Sequence, residues 1–173
     1  MITVTLGTIP FQFDRAITWL GILLDRQIIT EPVFLQYGSS DISAIAQHPL
    51  VTALPVVQSE YLKAQVDASR LVIAHAGQGS TRMLVERSAS FIILPRLALH
   101  REHIDNHQLM FARGMSNFGI RCCITLDEVV EAVLQPPAPC AVDLFDGPKL
   151  AEYLRRCYTP SRIQVQRLLL SRR

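Results

Sequence analysis

His75-Ala76-Gly77-Gln78-Gly79-Ser80-Thr81 is the stretch of this chain with the most to offer chemically. It follows an apolar run, Leu71–Ala74, and leads into Met83, Leu84 and Val85, so it reads as a turn from a buried strand into a helix. Two glycines at such a turn let backbone N–H groups come close to an anion, and the helix N-terminus adds positive potential. Ser80 adds a hydroxyl donor or caps the helix. The same spacing also serves a tight turn that holds nothing, and residue types alone leave the two readings even. Two phosphate loops are excluded. A Walker loop needs Gly-Lys-Ser/Thr, and the only lysines are Lys63 and Lys149. The dinucleotide fingerprint needs a third glycine where Arg82 stands, and an acid about twenty residues on that is missing.

A second polar cluster is His100-Arg101-Glu102-His103-Ile104-Asp105-Asn106-His107-Gln108. On a helix His100, His103 and His107 would share a face and suggest a metal. Pro95 and the polar loop after it disfavour a helix over 96–104, so no metal or other cofactor is expected. The alternative is a helix N-terminus at which Asn106, His107 and Gln108 present neutral donors and acceptors, which suits sugar hydroxyls. Polar residues capping a helix beside solvent would look the same.

The elements that must position these groups alternate. Strands are expected at Ile2–Leu6, Val33–Gln36, Val51–Val57, Leu71–Ala74, Phe91–Leu94 and Ile120–Ile124, with Pro55 pushing the third toward an edge. Helices are expected after Asp14, which can cap, with Ile17, Leu20, Gly21 and Leu24 inward; from Ser59, with Leu62, Val66 and Ala68 inward; through Met83–Val85; from about Asp105 to Ser116; and from Thr125 through Val133, with Asp127 and Glu128 suiting the dipole. This alternation predicts an α/β fold with a mostly parallel sheet and flanking helices, and ligands at the carboxyl ends of the strands.

The 173 residues, 49% hydrophobic and 18% charged, suit one globular domain with a real core. Organisation is expected as a domain over 1–134, a Pro-rich linker over 135–148, and a basic helical segment over 149–173. From Lys149 onward seven basic residues face Glu152 alone, a net +6 that leaves −4 for the body. That distribution predicts a local anionic or protein partner at the end of the chain and no nucleic-acid-binding body. No run approaches the ~18–20 apolar residues of a membrane span. No signal peptide is read at the N-terminus, so a cytoplasmic address is expected. Four cysteines without a CxxC indicate neither a zinc knuckle nor a disulfide framework.

Four segments in order carry a resemblance: Thr5-Leu6-Gly7-Thr8; Phe34-Leu35-Gln36-Tyr37-Gly38-Ser39-Ser40-Asp41; Val72-Ile73-Ala74-His75-Ala76-Gly77-Gln78-Gly79-Ser80; and Leu94-Pro95-Arg96 followed by Glu102 to Gln108. Over residues 1–134 the chain resembles the C-terminal, donor-binding domain of glycosyltransferase family twenty-eight. The likeness is to its stand-alone form, as in the catalytic subunit of the dolichyl-diphosphate N-acetylglucosamine transferase and bacterial exopolysaccharide glycosyltransferases. The resemblance implies a Rossmann-like, GT-B-type half domain. It implies that Gly7 and Thr8 lie near a donor diphosphate, that the loop of His75, Gly77, Gly79 and Ser80 holds the diphosphate and ribose side, and that His107 and Gln108, beside Asn106, touch the donor sugar. Uracil would be read by backbone around Leu54–Val57. The family's ribose-binding Glu stands three residues beyond the Ser of Gly-x-Gly-Ser; here that position is Met83, with Glu86 one helical turn later as a substitute, and Ser88 replaces a common glycine.

The implied function is an inverting transfer from a UDP-sugar to a polyprenyl-diphosphate-linked saccharide, with UDP-sugar as substrate. A membrane-associated partner would supply the acceptor site and, ahead of the in-chain candidates His75 and His107, the general base. The chain would then sit at the inner face of the membrane through that partner. Arg96 or Arg101 either pairs with an acidic donor sugar or stabilises the loop. The competing readings are a non-catalytic partner domain with a decayed nucleotide site, and a metal-dependent hydrolase, which lacks a carboxylate cluster.

Overall fold

The computed structural model describes residues 1–140. The expected helices over 149–173, and the linker from 141 onward, lie outside the described residues. Six parallel strands form one sheet: β1 (Ile2–Thr5), β2 (Val33–Gln36), β3 (Val51–Leu54), β4 (Leu71–His75), β5 (Phe91–Leu94) and β6 (Arg121–Cys122), in the order β3-β2-β1-β4-β5-β6. The α/β, Rossmann-like expectation holds.

Four of the strands, β1, β2, β4 and β5, are buried on both faces because both faces are covered. Ile2, Val4, Leu71, Ile73, Ile92 and Leu94 point into one core, shared with helices α1 (Asp14–Asp25) and α5 (Leu126–Leu134). Val72, Ala74, Phe91 and Ile93 point into the other, with Val66 of α2 (Ser59–Asp67), Leu84 and Val85 of α3 (Gln78–Glu86), and Ala112 of α4 (His107–Ser116). The alternation along each strand is the period-two signature of a doubly covered sheet.

Boundaries differ from expectation where a local bond competes. Phe13, not Asp14, is the N-cap of α1; its amide donates to Ser40 Oγ at 3.0 Å, and Asp14 is left in the first turn, where its charge suits the dipole. β3 stops at Leu54 because Pro55 has no N–H to donate to the ladder, although the carbonyls of Leu54 and Pro55 still accept from Tyr37 and Gly38 in the turn after β2. Ala68 is the exposed C-cap of α2 rather than an inward residue. β6 keeps only two residues of the expected five. The start of the Pro-rich stretch is no free spacer: Ser90 Oγ donates to Pro137 O at 2.7 Å, and Cys140 N–H to Ala89 O at 3.1 Å.

Thr125 caps α5 as the sequence implied, and the cap is reciprocal. Its Oγ1 accepts from Glu128 N at 3.3 Å, while Glu128 Oε2 accepts from Thr125 N at 2.9 Å and Ile124 N at 2.7 Å. Thr125→Ala is expected to cost about 1 kcal/mol of stability, measured by urea unfolding, with the fold unchanged.

Candidate functional site

β1 and β4 are neighbours although 70 residues apart, with Thr5 opposite Ala74. The chain leaves them toward opposite sides of the sheet, so a crevice opens at their carboxyl ends, where open α/β sheets bind ligands. Gly7 forms the β1 turn at φ +77°, in the left-handed region that favours glycine. Its backbone is gripped by Gln36, a buried side chain that residue-type reasoning overlooked. Gln36 Nε2 donates to Gly7 O at 2.9 Å and to Pro55 O at 3.0 Å, while its Oε1 accepts from Gly7 N at 3.3 Å and from Thr5 Oγ1 at 2.7 Å.

His75 ends β4, and its imidazole fills the space between the two glycine turns. A Cβ on Gly7 would lie 2.9 Å from the ring and one on Gly77 only 2.3 Å, so neither position has room for a side chain. Nδ1 donates to Thr5 O at 3.3 Å. Burial, with the nearby Arg96 charge adding to it against the Thr5 carbonyl, pulls the His75 pKa down to about 4. His75 is therefore a neutral ring at pH 7 and a poor proton acceptor, which disfavours it as the base.

α3 begins at Gln78, so Gly79 and Ser80 lie inside its first turn rather than in a loop before it. The first helical bond is Thr81 N–H to Gly77 O at 2.9 Å, which leaves the amides of Gln78, Gly79 and Ser80 facing outward without a helical acceptor. Gly79 opens onto free space, with nothing within 4 Å of a Cβ built there. Gly7, Thr8, His75, Gly77, Gly79 and Ser80 are thus brought to one edge.

The loop after β5 reaches the same edge. Arg96 is buried: its guanidinium donates through NH2 to Leu6 O at 2.8 Å and through NH1 to Phe11 O at 2.7 Å, Gln12 O at 3.2 Å and Glu102 O at 3.2 Å, with its carbon 4.6 Å from the Phe13 ring centre. Burial lowers its pKa to about 10, against the Glu102 charge. Those bonds decide between the two readings of Arg96: it meets no donor carboxylate and stabilises the loop, tying the β1 turn to the β5 loop. Buried Glu102 braces the same loop, accepting from Arg15 Nε at 3.0 Å, Arg15 NH2 at 2.8 Å and Leu97 N at 2.9 Å. A cleft of about 880 Å³ lies beside this brace, lined by Phe11, Gln12, Arg15, Ser39, His100 and Arg101 among others, next to the glycine turns rather than over them.

Residues 96–104 hold only a short 3-10 turn, Ala98–His100, so His100 shares no helical face with His107. No cluster among the described residues could hold a metal. His103 and His107 instead converge on Asp105: His107 Nδ1 is 2.7 Å from Oδ2 and His103 Nδ1 is 3.0 Å from Oδ1. α4 starts two residues later than expected because Asp105 Oδ1 accepts the His107 amide at 2.9 Å. Asn106 Oδ1 accepts from Ala98 N at 3.2 Å and Gln108 Oε1 from Arg96 N at 3.1 Å, which turns both amide NH2 groups outward as donors.

The glycine turns and the Asn106–Gln108 edge lie on the same side of the sheet, and the family model for the glycosyltransferase family 28 C-terminal domain matches residues 1–137. The chain belongs to glycosyltransferase family 28. The solved structures similar to this family 28 domain share its fold at low identity. MurG from Acinetobacter baumannii aligns with a TM-score of 0.53 at 17% identity, covering 76% of this chain and 40% of that one. SnogD from Streptomyces nogalater gives 0.53 at 16%, covering 78% and 34%, and the glycosyltransferase of kitacinnamycin gives 0.51 at 12%, covering 77% and 34%. The chain therefore spans well under half the length of these glycosyltransferases. No curated protein matches it in sequence.

Neither position that the resemblance offers for a ribose acid, Met83 or Glu86, puts a carboxylate at the glycine turn of this family 28 domain. Met83 packs against the second core. Glu86 is the last residue of α3, about 12 Å along the axis from Gln78, and its carboxylate accepts from Arg82 at 2.8 Å. The structure does not bring Glu86 to the glycine turns. Leu54 ends the edge strand β3, and Pro55 O shares the Gln36 Nε2 donor with Gly7 O, at 3.0 and 2.9 Å, so the Leu54–Val57 segment starts beside the Gly7 turn.

Proposed function

We propose that this chain is the donor-binding, catalytic subunit of an inverting glycosyltransferase that moves a sugar from a UDP-sugar to a polyprenyl-diphosphate-linked acceptor. The observation that carries the reading is the convergence of the Gly7 turn, the His75–Gly77 turn and the open first turn of α3 on one crevice of a family 28 domain. The amides of Gln78, Gly79 and Ser80 and the α3 dipole would stabilise the departing diphosphate as the anomeric C–O bond breaks. The outward amides of Asn106 and Gln108 and the His107 ring would orient the sugar for in-line attack by the acceptor hydroxyl. That hydroxyl must lose its proton to a base. With His75 held neutral at low basicity, a base and an acceptor site on a membrane-associated partner complete the reaction, so the chain alone is expected to transfer no sugar. No helix among the described residues is long and apolar enough to cross a membrane.

Calorimetric titration tests the nucleotide site. UDP is expected to bind, with ADP and NAD much weaker and EDTA without effect. Gly79→Val should lower UDP affinity at least about tenfold, or 1.4 kcal/mol, because the new side chain enters only the space a phosphate would use. Unchanged affinity in the folded variant refutes this use of the turn. The second reading, a non-catalytic partner domain with a decayed site, is favoured by Met83 packed against the core and Glu86 held by Arg82. It requires that UDP not bind at all.

A further inference from the structure

We infer that Asp105 is a positioning residue that holds His107 as its Nδ1–H tautomer, so that Nε2 accepts a hydrogen bond from a hydroxyl of the donor sugar; this rests on the proposed sugar-facing role of His107. The two oxygens of Asp105 are divided. Oδ1 takes the His107 amide at 2.9 Å and faces His103 Nδ1 at 3.0 Å. Oδ2 is left for the His107 ring, with Nδ1 at 2.7 Å. A carboxylate only accepts, so a ring nitrogen at that distance must carry the proton, and a neutral imidazole then has a bare lone pair on the other nitrogen.

The carboxylate stays charged, since the His107 amide above all holds the Asp105 pKa below its ordinary range. On the other side the Asp105 amide donates to His103 Nδ1 at 3.3 Å, so that ring nitrogen accepts and His107 is the ring that donates to the carboxylate. The His107 side chain is 80% exposed, which leaves Nε2 open to a ligand. Beside it, the amide NH2 groups of Asn106 and Gln108 are donors because their oxygens are already taken by Ala98 and Arg96. The edge thus presents two donors and one acceptor. Without Asp105 the acceptor would be free to become a third donor.

Asp105→Asn tests this with little risk to the fold, because the asparagine oxygen can still accept the His107 amide. Its NH2 facing Nδ1 should drive the ring to the Nε2–H tautomer. Long-range proton–nitrogen NMR of the full chain at about pH 8, where an ordinary imidazole is neutral, reads the tautomer directly. The expected result is Nδ1–H in the wild type, Nε2–H in Asp105→Asn, and Nδ1–H restored in Asp105→Glu. Affinities for UDP, UDP-glucose and UDP-N-acetylglucosamine read the consequence. The gain in affinity of the tighter UDP-sugar over UDP should fall about two- to tenfold in Asp105→Asn, and return in Asp105→Glu. An Nε2–H ring in the wild type overturns the inference. So does a switched tautomer with the sugar's gain unchanged, or a wild type that binds UDP but neither UDP-sugar more tightly. Failure of UDP itself to bind overturns the nucleotide site, and the sugar role of His107 with it.

Discussion

Replacing Arg96 with methionine is expected to lower the unfolding free energy by about 3–5 kcal/mol. Methionine keeps much of the hydrocarbon volume but none of the donors. The carbonyls of Leu6, Phe11, Gln12 and Glu102 would lose their guanidinium partner in a site closed to water, and an unsatisfied buried acceptor costs about 1–3 kcal/mol. Partial hydration of the opened loop is what keeps the total below the sum. Arg96→Lys should fall between, since one ammonium cannot span four carbonyls on two segments. Urea unfolding gives the magnitude. Amide exchange gives the place: protection should fall first around Gly7 and in the β5 loop, because Arg96 joins those two segments across 90 residues of sequence. A loss below about 1 kcal/mol, within the usual range of surface changes, would show that the guanidinium is not holding them.

The second large effect is the dependence of stability on pH through His75. Its folded pKa of about 4 lies below the 6.5 of an ordinary histidine, because burial disfavours the charged ring. Between these values the unfolded chain binds a proton that the folded one does not, so stability rises with pH across the window. The contribution is complete above about pH 6.5 and is lost as pH falls toward 4, amounting to about 3 kcal/mol. Carboxylates held low by hydrogen bonds, such as Asp41 and Glu128, pull in the same direction but below their ordinary values near 4, so the upper part of the window isolates the histidine. Unfolding free energies measured from pH 5 to pH 7 should show the slope, and His75→Gln should flatten it. A wild-type slope equal to that of His75→Gln would mean that the ring is solvated when folded.

The elements of this fold were legible because they rest on short-range physics. Val33–Gln36 and Phe91–Leu94 are strands to the residue, since runs of three or four apolar residues bounded by turn residues have few other uses. Thr125 and Glu128 at cap spacing set the start of α5. The glycine turn at His75–Ser80 was also readable, because glycines between a buried strand and a helix have few explanations. Strand order was not readable. Only tertiary structure sets β1 beside β4, and that neighbourhood puts Gly7 and His75 in contact and makes a crevice of two separate turns. Gln36 looked like the polar end of a strand, Arg96 like a surface cation in a loop, and Asp105 like one letter of a motif. Gln36 and Arg96 matter through partners up to 31 and 90 residues away, and Asp105 through which oxygen meets which histidine. Glu86 shows the limit from the other side: one turn from Met83 is close in sequence, but the rise of the helix carries it away from the glycine end, and Arg82 holds it there. Residue type and spacing determine which backbone a segment adopts; which buried donor faces which acceptor is decided by how distant segments pack.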